Sequence, residues 1–156
     1  MTLLRGFNHV AVLTHDTERL HAFYREVFDA TTMEAEQNET LRLSLIFVGP
    51  FNALNVFEIK DNTEADKQVP MFGRGRIDHF GLEAVSHEAF DVIRERLIAK
   101  GATDGFVTDF GREISLFFRD PDGLEGEVLF EHAPDATHTN PPGTKAAGYE
   151  RVLDPL

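Results

Sequence analysis

Two histidines of this sequence occupy matched places. Residues 7–30, FNHVAVLTHDTERLHAFYREVFDA, and residues 77–102, IDHFGLEAVSHEAFDVIRERLIAKGA, read as two copies of one segment. His9 falls on His79 at an offset of 70, and with it Phe7 on Ile77, Val10 on Phe80, Val12 on Leu82, Leu20 on Phe90 and Phe23 on Ile93. Glu127 follows His79 by 48 positions, and Glu58 follows His9 by 49. If the copies pair about a pseudo-twofold axis, equivalent strands face each other and two imidazoles converge with one carboxylate. His9, His79 and Glu127 are then a ligand set for a divalent ion (Fe, Ni, Co, Zn or Mn) that leaves positions open for substrate or water. Glu58 is the expected fourth ligand or catalytic base. Its parity stays open, because Asn55, Phe57 and Ile59 share one strand face while Val56 and Glu58 share the other.

Blander readings compete with each of these. A single His in an apolar strand is usually a hydrogen-bonded core or edge residue; the match in both copies, with a Glu in the closing strand, is what favours a metal. His15, His21 and His87 lie in or beside helices and read as solvated surface, and His132 and His138 as tail. Arg74, Arg76 and Arg112 fall in loops; solvated charge is the favoured reading, with an anionic substrate as the alternative. Glu125 and Glu131 read as exposed strand residues. Phe47, Phe57, Phe117 and Phe118 are candidates to line a cavity.

The elements that carry these residues follow from pattern. Each copy opens as a short apolar strand and turns into an amphipathic helix. The first helix is expected from about Thr17 to Phe28, with Leu20, Phe23, Tyr24, Val27 and Phe28 at helical spacing and Asp16 as its cap. The second is expected from about His87 to Lys100, capped by Ser86 and ended by Gly101. Residues 40–49 alternate as a half-buried strand, and residues 54–60, 113–119 and 127–130 are strands too. Asp120-Pro121-Asp122-Gly123 is a turn: Pro presets φ, Asp bonds its own backbone and Gly supplies positive φ. Each half thus reads strand, helix, then about three strands.

One domain is expected over residues 1–133, with a first module at about 5–69 and a second at about 75–132. Residues 134–156, holding four of the seven Pro, are expected as an extended C-terminal tail that could pack on a partner subunit.

Composition narrows the functions. The 156 residues include no Cys, which excludes disulfides, thiolate metal sites and Cys nucleophiles. Lys and Arg number 15 against 27 Asp and Glu, a formal charge of −12 that disfavours nucleic acid as a partner. No apolar run spans a membrane and no secretory signal is visible, so a cytoplasmic protein is expected. Gly73-Arg-Gly-Arg lacks the Lys and Ser/Thr of a phosphate loop, and no Gly-x-Ser-x-Gly elbow exists.

The segments FNHVAVLTHDTERLHAFYREVF, IDHFGLEA and FFRDPDGLEGEVLFE resemble the vicinal oxygen chelate superfamily of glyoxalases, bleomycin resistance proteins and extradiol dioxygenases, over roughly residues 5–132. The resemblance implies an α+β fold of paired βαβββ modules forming a cupped mixed sheet, commonly a homodimer. It implies metal positions at His9, Glu58, His79 and Glu127, all four kinds being used in the glyoxalase I branch and three in the extradiol branch. Ring-cleaving members also use a further His and a Tyr, and between His87 and Glu131 this chain has neither. The expected function is a metal-dependent glyoxalase-type isomerase, epimerase or lyase on a small substrate. A divalent ion would chelate two neighbouring oxygens, and Glu58 or Glu127 would move the proton. The alternatives are an Fe(II) extradiol dioxygenase and a metal-free drug-sequestering protein.

Overall fold

The computed structural model describes residues 3, 6–65, 67, 69–132 and 143–154, which fall into two units, residues 1–67 and 68–156. The first unit runs β1 (His9–Thr14), α1 (Thr17–Phe28), β2 (Thr31–Gln37), β3 (Leu41–Phe47) and β4 (Ala53–Ile59). Its sheet has the order β1-β4-β3-β2, with β1 parallel to β4 and the other pairs antiparallel. The second unit runs β5 (Phe80–Glu83), α2 (His87–Ala99), β6 (Val107–Asp109), β7 (Glu113–Arg119), β8 (Glu125–Glu131) and β9 (Thr144–Lys145). Its order is β5-β8-β7-β6-β9, again with the first strand parallel to its neighbour. Each unit is therefore a βαβββ module of the α+β class, and a helix makes the crossover that each parallel pair requires.

The helices start where their caps dictate. Asp16 accepts from the Arg19 N–H at 2.9 Å, and Ser86 from the Ala89 N–H at 3.1 Å, each satisfying a donor with no intrahelical partner. One face of α1 buries Leu20, Phe23, Tyr24 and Val27, and the sheet it packs on buries Val12, Ile46, Leu54 and Val56. In the second unit Phe90 and Leu97 of α2 and Ile114, Leu116, Phe118 and Val128 of the sheet form the core. Period-two alternation then turns the odd-numbered residues of β1, β4, β7 and β8 to the other face.

Gly126 shows how tightly the helix-side face is packed. It lies in register between Phe80 and Phe118, whose rings meet edge-on at 6.2 Å. A Cβ on Gly126 would come within 2.4 Å of the Phe118 ring. The Asp120–Gly123 turn forms as expected: the Gly123 N–H reaches Asp120 O at 2.9 Å, and Asp120 Oδ1 accepts from the Asp122 and Leu124 N–H groups.

The described part of the expected tail, residues 143–154, runs back along the second unit. β9 adds a fifth strand beside β6, and the Ala146 N–H bonds Val107 O at 2.9 Å. The Tyr149 hydroxyl donates to Asp91 Oδ1 at 2.6 Å, and the Val152 N–H bonds Asp104 O at 2.9 Å. Residues 133–142, with His138, lie outside the described residues. No helix among the described residues is long and apolar enough to cross a membrane.

Candidate functional site

His79 and Glu127 come together in the second unit. Gly81 pairs with Glu127 across β5 and β8, so the His preceding β5 projects on the same face as the Glu. His79 Nε2 lies 3.4 Å from Glu127 Oε2. The other ring nitrogen, Nδ1, is 2.9 Å from Asp78 Oδ2. An ionised carboxylate only accepts, so Nδ1 donates to Asp78, and Nε2 is the ring nitrogen turned to Glu127. The same hydrogen bond holds the Asp78 carboxyl below its ordinary value of 3.8, helped by the Phe72 N–H and by Arg74. Glu127 is fixed in turn: its Oε1 accepts from the fully buried Ser115 hydroxyl. Phe117 packs its ring edge-on against His79 at 5.3 Å and is the register partner of Glu127. A Cβ on Gly81 would meet Leu129 Cδ1 at 2.7 Å, while Glu127 Oε2 would lie at an ordinary contact distance of 3.9 Å.

The first unit repeats part of this plan. His9 Nδ1 is 2.8 Å from Asn8 Oδ1, so here too the residue before the His accepts from Nδ1 and leaves Nε2 available. His9 pairs with Ala53 in register, and Ala11 with Asn55. Asn55 therefore holds in β4 the position that Glu127 holds in β8. Its Oδ1 is buried and has no hydrogen-bond partner in the described structure. Glu58 is elsewhere. It pairs with Thr14, five register positions from the His9 pair, about 17 Å along the strands, and it points to the opposite face. Its Oε2 accepts from the Thr17 N–H at 2.9 Å, which places a carboxylate at the positive end of α1. Among the described residues no group of three or more His, Asp or Glu side chains forms a metal cluster.

Several residues stand differently from expectation. His21 is buried, not solvated, with Nε2 2.8 Å from Ser44 Oγ. Arg74, expected as solvated loop charge, has a side chain only 7% exposed and is bound to Glu125. Glu125 itself is buried rather than exposed, because that ion pair compensates its charge. Arg112 is exposed, as its loop position implies, and pairs with Glu131 at 3.2 Å. Asn8, Asp78 and Ser115 are functional candidates that sequence reasoning missed. A signal for two of them existed, since each copy of the repeat places a side-chain acceptor directly before its His.

The donor atoms suit a divalent cation. Two ligands each about 2.0–2.2 Å from one ion stand roughly 3.0–3.5 Å apart at octahedral to tetrahedral angles; Nε2 and Oε2 fall within this range at 3.4 Å. A second-sphere carboxylate on the remote imidazole nitrogen is the usual companion of a metal-binding His.

Comparison with solved structures agrees with the topology. A glyoxalase/bleomycin resistance protein/dioxygenase domain from Frankia sp. EAN1pec superposes with a TM-score of 0.67 at 21% identity, covering 84% of this chain and 95% of that one. The fosfomycin resistance protein FosX from Listeria monocytogenes gives a TM-score of 0.61 at 17% identity, covering 83% and 96%. A variant of it complexed with Mn(II) and 1S,2S-dihydroxypropylphosphonic acid gives 0.60 at 18%, covering 81% and 92%. At such identities the likeness concerns the fold. Among curated proteins none matches the chain in sequence. The sequence profile of one family does match, over residues 6–128, and with two βαβββ modules it settles the membership: the chain belongs to the Glyoxalase/Bleomycin resistance protein/Dioxygenase superfamily.

Proposed function

We propose that the protein is a metal-dependent enzyme of the glyoxalase type, catalysing an isomerisation, epimerisation or lyase step on a small molecule with two neighbouring oxygens. The observation that carries this reading is the chain Asp78–His79–Glu127–Ser115, in which both candidate ligands are held from behind and present Nε2 and Oε2 side by side. His9 is the proposed third ligand, because it has the repeat position of His79 and the same Nδ1 tether. Asn55, rather than Glu58, holds the fourth position by register. The bound ion would supply Lewis acidity toward the substrate oxygens. Glu127, when loosened from the ion, would take and return the proton at Oε2, since the Ser115 hydroxyl engages Oε1. Phe117 would keep water from that proton.

Elemental analysis of the purified protein tests this. About one divalent ion per chain is expected, with loss of the ion in His79→Ala and in His9→Ala. Metal content near zero in wild-type protein after growth with Fe, Mn, Co, Ni and Zn would move the reading to a metal-free binding protein. Unchanged content in His79→Ala would remove this site.

A further inference from the structure

A cavity of about 240 Å³ opens within the second unit. It shares Phe117 with the His79–Glu127 pair, and Phe106 and Met71 add apolar lining. Arg119 and Arg151 also line it, together with their ion-pair partners Glu125 and Asp104. Arg119 leaves the sheet on the Glu127 face, two residues beyond Phe117, and its side chain is 41% exposed. Its Nε is ion-paired with Glu125 Oε2 at 3.7 Å, and the nearly buried Arg74 shares that carboxylate. Among the described residues the Arg119 guanidinium thus has this one shared ion pair and no hydrogen bond shorter than it. Arg151 arrives from the C-terminal arm. Its Nε is ion-paired with Asp104 Oδ2 at 2.9 Å, and its guanidinium lies over the Phe106 ring at 4.8 Å. The arm is fixed there by the Val152 and Leu153 N–H groups on Asp104 O and by Arg94 on Glu150 O.

Guanidinium forks beside aromatic faces select a planar anion attached to an apolar body. We infer that this cavity binds a small carboxylate with an aromatic or compact apolar body. Arg119 takes the carboxylate, and Arg151, delivered by the C-terminal arm, is a second specificity determinant. The volume lies just under the usual range for ligand pockets, about 300–1,000 Å³, which limits the ligand to a small molecule. The net charge of −12 repels anions in general, so selective anion binding requires a built site of this kind. As a statement of the substrate's class, the inference rests on the enzyme reading above; as a statement of what the cavity binds, it does not.

Calorimetric titration of the full chain, dialysed against EDTA, separates the two. Benzoate is the probe and benzamide its neutral, nearly isosteric control. Benzoate is expected to bind at least tenfold more tightly than benzamide, with the difference shrinking as salt rises. Arg119→Gln and Arg151→Gln should each cut benzoate affinity about tenfold or more and leave benzamide unchanged. Arg119→Lys, which keeps the charge and loses the fork, should fall between. Equal affinity for the two probes, no binding of benzoate by wild type, or full affinity in a normally melting Arg119→Gln variant would overturn the inference. Because the metal is absent throughout, a failed metal analysis leaves this result standing, and the reverse holds.

Discussion

His21 sits beneath β3 with 2% of its surface exposed, bonded to Ser44. Burial lowers its pKa below the ordinary 6.5, against the opposing pull of Glu34 and Glu18. The unfolded chain then binds a proton that the folded chain resists. Stability from this group is complete above about pH 6.5 and is lost as pH falls toward the lowered folded value. Urea midpoints of wild type and His21→Gln, measured at pH 7.5 and 5.5, should show a smaller acid loss in the variant; equal losses would mean that His21 does not set the acid limit. At this scale the sequence was legible where a repeat constrained it. The contact of His79 with Glu127 follows from the offset of 70 and the closing strand. Glu58 was not, because β4 is flanked by apolar residues on both faces and its inward side depends on where α1 packs. His21 looked like surface because one polar residue on an otherwise apolar helix face hides its burial when Ser44 satisfies it.

The helices were readable to within a residue, since caps and spacing are local. Three strands, β2, β6 and β9, were not. β2, TTMEAEQ, carries a nearly all-exposed pattern and is held by pairing with β3 rather than by a buried face. β9 is two polar residues that become a strand only because β6 offers an open edge. Where packing does set an element, a single Cβ is enough to test it. Gly126 lets Phe80 and Phe118 close over β8, and Gly126→Ala forces a methyl to within 2.5 Å of two Phe118 ring atoms in a core strand. A loss of about 1–3 kcal/mol is expected from such overpacking. Because Glu127 is the next residue, metal affinity should weaken with it. A variant with unchanged urea midpoint would show that the Phe118 ring has room to move.

The whole chain carries 12 more acidic than basic side chains, and that excess makes any cation stabilising to some degree. Screening by NaCl should therefore raise the melting temperature from low salt to about 0.15 M, where the Debye length is about 8 Å. A diffuse effect of this kind depends on ionic strength and not on which cation provides it. A site behaves otherwise. An ion held by native His79 and Glu127 stabilises by RT ln(1 + [ion]/Kd), about 2.7 kcal/mol at 100 times Kd. At matched ionic strength, Mn(II) in the micromolar range is thus expected to raise the melting temperature of EDTA-treated protein by several degrees beyond NaCl, and His79→Ala to lose that increment while keeping the NaCl response. If the variant keeps both responses, the Mn(II) effect belongs to the acidic surface. If wild type shows only the NaCl response, no ion is held at His79 and Glu127, and the metal-dependent mechanism falls with it.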